Sequence, residues 1–146
     1  DSYKMLSINK DIKVYGFDIQ KSCIDNSKTI DGLKAINDSH LNFDSYVYTN
    51  IDFAIFNLGY LPGGDKNITT EYDIVIKTLE KLLIVLNDEG QIVITFYPGH
   101  KPGLEESIKV IKFLQTLNQK KFNVVRYDFI NQINNPPFVC LIERIR

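Results

Sequence analysis

Short β-rich runs alternate with helix-type segments along most of this chain, and that alternation restricts its fold more than any other feature. IKVYGF (Ile12 to Phe17), LKAI (Leu33 to Ile36), IDFAIF (Ile51 to Phe56) and QIVITFY (Gln91 to Tyr97) are apolar runs of strand length. Between the first two, QKSCIDNSKTI (Gln20 to Ile30) reads as a short helix. From Thr69 to Leu86, the residues Ile74, Val75, Ile76, Leu79, Leu82, Leu83 and Leu86 recur at mostly three- and four-residue intervals, as one helical face requires. Asn87-Asp88-Glu89-Gly90 then supplies a stop and a turn. Residues 103–119 predict a second amphipathic helix, with Leu104, Ile108, Ile111, Leu114 and Leu117 on its apolar side. This order predicts an α/β, doubly wound, mostly parallel sheet covered on both faces. The end of the chain departs from the pattern. FNVVRYDFI and PFVCLIERI are separated only by NQINNPP, so they predict an antiparallel hairpin that closes the sheet.

The chain opens on DSYKMLSINKD, which reads as a helix, with no strand and no Gly-rich turn ahead of IKVYGFD. A doubly wound fold places its first strand and its cofactor-cradling glycines there. The expectation is therefore one domain over residues 1–146 that lacks its first strand and Gly-rich turn. At 146 residues, 44% of them hydrophobic, the chain can bury one sizeable core. No apolar run approaches the roughly 20 residues of a membrane span, and a cytoplasmic, membrane-free protein is expected. Cys23 and Cys140 show no CxxC spacing, which favours half-buried thiols over a disulfide or a zinc site. A net charge of −1 gives no overall attraction to nucleic acid, but it leaves room for a local basic face. Lys101, Lys120, Lys121, Arg126, Arg144 and Arg146 are the candidates for one, set against the plainer reading of a solvated surface.

In open parallel sheets the ligand lies beyond the carboxyl ends of the strands, so the residues that end each run are the candidate site. Asp18 ends the first run, followed by Gln20; a carboxylate there can take both hydroxyls of a ribose, or simply cap a helix. Asn37-Asp38-Ser39-His40 ends the second, where Asp38 can accept from an exocyclic amine of adenine or merely fold a turn. The third run ends in the crowded stretch Asn57-Leu58-Gly59-Tyr60-Leu61-Pro62-Gly63-Gly64-Asp65. A chain reversal needs only one or two such residues. An amide, an aromatic ring and three glycines together suggest close approach to a ligand. The fourth run delivers Tyr97, His100 and Lys101, and the closing link carries Asn131 and Asn134.

YGFDIQ, DSH, FNLGYLPGGDK, TFYPGHKPGLEES and NQINNPP, in this order, resemble the rRNA methylase family of class I S-adenosylmethionine-dependent methyltransferases. That family is similar to the enzymes that methylate the 5-aminomethyl group of 2-thiouridine at the tRNA wobble position. The resemblance implies a Rossmann-like class I methyltransferase fold, S-adenosyl-L-methionine as cofactor and tRNA, at its anticodon region, as partner. It implies cofactor contacts at Asp1, Asp18, Gln20, Asp38, Ser39, His40, Asn57 and Gly59. Tyr60, Leu61, Pro62, Gly63, Tyr97, Lys101, Asn131 and Asn134 would meet the substrate, and Asn57, Tyr60 and His100 would act at the reacting centre. No metal is implied, and a homodimer is left open.

Methyl transfer to an amine needs the amine neutral, because an ammonium has no lone pair to attack with. Asn57 and the carbonyl beside Leu58 are expected to accept its N–H bonds, Tyr60 or Tyr97 to stack on the base, and His100 to take a proton or bind a phosphate. Three other readings compete. They are methylation of rRNA, a small molecule or a protein; a non-catalytic adenosine-binding module; and, more distantly, a nicotinamide oxidoreductase.

Overall fold

The computed structural model describes residues 2–9, 11–27, 29–58 and 72–146. The chain divides into two compact units, Asp1–Tyr48 and Thr49–Arg146. In the first, helix α1 (Ser2–Ile8) precedes β1 (Val14–Phe17), α2 (Lys21–Ser27), β2 (Leu33–Ile36) and a 3-10 turn at His40–Ser45. The two strands pair in parallel, from Val14 opposite Leu33 to Phe17 opposite Ile36. Leu6, Val14, Ile24, Ile36 and Phe43 are buried and form this unit's core. The sequence gives no sign of the 3-10 turn, because HLNFDS has no apolar period.

The second unit contains β3 (Ile51–Leu58), α3 (Tyr72–Val85), β4 (Leu86–Phe96), α4 (Lys101–Leu114), β5 (Phe122–Tyr127) and β6 (Phe138–Arg144). Its sheet has the order β3-β4-β6-β5. β3 and β4 are parallel, while β6 is antiparallel to both β4 and β5. Three strands therefore run one way, and β6 is inserted against them. The expected hairpin is present, with its second strand in the interior of the sheet.

On β4, Ile92, Ile94 and Phe96 point into the core, and on β6 Phe138, Cys140 and Ile142 do the same. This is the period-2 alternation of a strand with one buried face. Phe96 lies opposite Phe138 in the ladder, and their rings stack with centroids 4.8 Å apart. Helix α3 covers the core with Val75, Thr78, Leu79, Leu82 and Leu83, close to the stripe its spacing predicts. The turn expected at Asn87–Gly90 is absorbed as a bulge. Ile51 faces Leu86 and Phe53 faces Gln91, so five positions pass on β4 while two pass on β3. A Cβ on Gly90 would lie 2.7 Å from the Asn87 carbonyl oxygen, which only glycine avoids.

Helix α4 corrects the sequence reading. Its buried residues are Gly103, Glu106, Ser107, Val110 and Leu114, whereas Leu104 and Ile108 are exposed. The rotation of the helix is set at its start. A Cβ on Gly103 would come within 2.3 Å of the Tyr97 carbonyl oxygen, so the glycine side must face inward. Among the described residues no helix is long and apolar enough to cross a membrane, and both cysteines are free thiols, Cys23 half-buried and Cys140 buried.

Candidate functional site

In the first unit the structure gathers Asp18, Gln20, Asp38, Ser39 and His40 at the carboxyl ends of the paired strands β1 and β2. Asp18 Oδ1 accepts the Gln20 N–H at 2.8 Å, which turns the chain into α2. Burial first, then the negative charge of Asp18 and a hydrogen bond with it, push the Cys23 thiol up. Asn37, which the sequence reading passed over, donates through Nδ2 to the carbonyl oxygens of Asp18 (2.9 Å) and Ile19 (3.1 Å). One side chain thereby ties the tip of β2 to the tip of β1.

Asp38 organises its own turn. Its Oδ1 accepts the Ser39 N–H at 2.7 Å and Asn42 Nδ2 at 2.9 Å, and its Oδ2 accepts the Tyr46 hydroxyl at 2.9 Å. Ser39 caps the 3-10 turn by accepting the Leu41 N–H. The bonds from Asn42, Tyr46 and the Ser39 amide hold the Asp38 carboxyl below its ordinary range. Burial lowers His40, which favours its neutral form.

A carboxylate offers about four acceptor positions. Among the described residues Asp38 has three of them engaged, leaving one on Oδ2 for an amine donor, and the Oδ1 of Asp18 is turned toward its own helix. Two half-buried carboxylates on adjacent strand tips, with acceptor positions to spare, fit a ligand rich in donors such as adenosine.

In the second unit another set lies at one end of the sheet. Asn57 and Leu58 pair with Thr95 and Phe96 at the carboxyl ends of β3 and β4. Phe96 faces Phe138 at the start of β6, and Tyr127 at the end of β5 faces Val139. Asn57, Tyr97, His100, Lys101 and the 128–137 link with Asn131 and Asn134 therefore emerge from the same edge. A Cβ built on Gly99 would lie 3.9 Å from the Asn135 carbonyl oxygen, so the β4–α4 loop and the closing link are neighbours. Asn134 and Asn135 both have left-handed backbones, with φ of 68° and 50°. Asparagine tolerates this region better than other side chains do.

His100 is the N-cap of α4, and its Nδ1 accepts the Gly103 N–H at 3.1 Å. Lys101 follows on the exposed side. One and a half turns further on, Glu106 is buried, with no hydrogen-bond partner for Oε1, and burial raises its carboxyl to about 7. The apolar spacing of α4 gave no hint of it.

Arg126, Arg144 and Arg146 are already engaged. Arg126 grips Asp128 (2.7 and 3.0 Å) and lies 3.9 Å over the Phe138 ring. Arg144 donates to the Leu83 carbonyl and pairs with Asp88, and Arg146 pairs with Glu89. Lys101 is exposed beyond the carboxyl end of β4, whereas the exposed Lys120 and Lys121 precede β5 at the opposite end of the sheet, so the three do not form one basic face. The expectations placed on Asp1, Gly59, Tyr60, Leu61, Pro62 and Gly63 lie outside the described residues.

Comparison with known proteins adds a separate line. The family model described as Putative rRNA methylase matches residues 14–143. A "tRNA (mnm(5)s(2)U34)-methyltransferase, chloroplastic" from Arabidopsis thaliana is 31% identical over 143 residues. The match covers 90% of this chain and 52% of that protein, so the chain spans about half the length of this curated relative. A solved "putative rRNA-methylase" from Clostridium thermocellum is 43% identical with a TM-score of 0.86, over 91% of this chain and 75% of its own. A "putative methyltransferase" from Streptococcus mutans, solved in complex with SAH, is 34% identical with a TM-score of 0.82, over 91% and 76%.

Proposed function

This chain belongs to the Putative rRNA methylase family and has the Rossmann-like class I methyltransferase fold, and from that premise we propose that it carries a single S-adenosylmethionine-dependent methyltransferase domain acting on tRNA. The acceptor is the amine of 5-aminomethyluridine, or its 2-thio form, at the wobble position, and the reaction takes place in the cytoplasm. The observation that carries this substrate is the 31% identity, over nearly the whole chain, to a protein named for methylation at that nucleotide. The arrangement of polar side chains at strand ends supports the same reading.

S-Adenosylmethionine, when bound, supplies a methyl group already activated on a sulfonium, so the protein's work is positioning and electrostatics. Asp18 and Gln20 hold the ribose, and Asp38 with Ser39 and His40 holds the adenine. Asn57, exposed at the tip of β3, accepts an N–H of the incoming amine and orients its lone pair. Tyr97, two-fifths exposed at the end of β4, offers a face on which the uracil stacks. Lys101 on the first turn of α4 meets a phosphate of the anticodon loop, and Asn131 and Asn134 read neighbouring base edges.

Mass spectrometry of wobble uridines from cells with and without the full-length protein tests this. The expected result is a build-up of the unmethylated 5-aminomethyl nucleoside when the protein is absent. Unchanged wobble uridines would reject the substrate. A second reading, rRNA as acceptor, draws on the family's own description; transfer of labelled methyl to purified rRNA and not to undermethylated tRNA would select it.

A further inference from the structure

Tyr46 stands where no cofactor contact is expected, yet it touches both strand tips of the first unit. Its hydroxyl donates to Asp38 Oδ2 at 2.9 Å, and its ring meets the ring of Phe17, the last residue of β1, edge to face with centroids 5.8 Å apart. Asp38 is thereby held at both oxygens. Oδ1 has both acceptor positions filled, by the Ser39 N–H and Asn42 Nδ2, while among the described residues Oδ2 has one filled and one left. The last torsion of an aspartate is broad and roughly two-fold, so a carboxylate anchored at Oδ1 alone can swing. The bond from Tyr46 removes that freedom and fixes the direction of the remaining lone pair.

We propose that Tyr46 is a positioning residue that sets purine specificity, aiming the remaining acceptor of Asp38 at the exocyclic amine of adenine. The inference rests on the cofactor reading above and adds to it the means by which one base is chosen. A purine bearing a 6-oxo group would bring an acceptor against that lone pair, with no proton between them. The Tyr46 hydroxyl has one proton, already given to Asp38, so it cannot turn to satisfy the intruder. The two groups reinforce this assignment. The bonds to Asp38 keep its carboxylate ionised, and the bond to Asp38 pushes the Tyr46 phenol up, which keeps it a donor. Sites built to hydrogen-bond an N–H reject the analogue that lacks it because their own polar group is then left unpaired.

Calorimetric titration of the full-length protein with S-adenosylhomocysteine and with S-inosylhomocysteine tests the proposal. The wild type is expected to prefer the adenosyl compound by about 100-fold or more. Tyr46→Phe keeps the ring and its contact with Phe17. It is expected to weaken binding of the adenosyl compound by about tenfold and to shrink the preference by a similar factor. Asp38→Asn, whose amide can donate to a 6-oxo group, is expected to abolish or reverse the preference. A Tyr46→Phe protein that is folded by circular dichroism and has an unchanged preference overturns the role of Tyr46 alone. A wild type that binds neither compound overturns the cofactor reading, and the role of Tyr46 with it.

Discussion

His100 Nδ1 accepts the N–H of Gly103 at 3.1 Å, and this assigns the proton of the neutral ring to Nε2. Capping the helix and taking a proton from an amine are therefore in competition, because the lone pair that would take the proton already receives a hydrogen bond. With Nδ1 so engaged, the ring has its Nε2–H to donate, and that atom is buried. His100→Asn keeps a good capping side chain, and His100→Ala removes it, at about 1 kcal/mol. Urea unfolding should place the Asn variant near wild type and the Ala variant below it, while methylation of tRNA falls in both. Wild-type turnover in His100→Asn would leave the ring with capping as its only task.

Asp18 is expected to act on affinity. Asp18→Ala removes the charged acceptor proposed for the ribose and should weaken S-adenosylhomocysteine by about 10- to 100-fold, the range of a hydrogen bond to a charged group. Calorimetry that returns an unchanged dissociation constant would count against this assignment.

Asn57 is expected to act on turnover instead. Its place at the tip of β3, opposite Thr95, suits it to orient the acceptor. Asn57→Ala should lower kcat by about 100-fold, the scale of a misplaced reacting group, with cofactor affinity nearly unchanged. An equal loss in both would show that the residue holds cofactor.

Glu106 should make stability depend on pH. Burial raises its folded-state carboxyl to about 7 from an ordinary 4.5. Between those values the folded protein binds a proton that the unfolded chain does not. The associated stability is full below about 4.5, falls as pH rises through the window, and is lost above about 7. The loss is about 3 kcal/mol. Glu106→Gln should flatten the curve and raise the melting temperature at pH 8 by several degrees. A wild-type thermal midpoint that does not change between pH 5 and pH 8 would contradict the burial argument.

Strand positions were legible in the sequence because short apolar runs bounded by polar residues have few alternatives. The same rule pointed to Asp18, Asp38, Asn57 and Tyr97, since a parallel sheet presents whatever follows its strands. What the sequence hid depends on contacts across the fold. The apolar count on α4 selected Leu104 and Ile108, but the close approach of Gly103 to the Tyr97 carbonyl turns the helix so that Glu106 and Val110 go inside. Tyr46 and Asp38 meet across an eight-residue turn that has no periodicity. Asn37 carries no signal of its role in the sequence, because its amide bridges to the neighbouring strand, to the carbonyls of Asp18 and Ile19.

The insertion of β6 between β4 and β5 has a consequence for biosynthesis. β5 leaves the ribosome before β6, its ladder partner among the described residues, and in the finished sheet it has no place beside β4. A nascent chain must carry Val124, Val125 and Tyr127 unpaired until the segment from Phe138 onward emerges and slides into the gap. A product stalled between β5 and β6 would expose that edge to other chains.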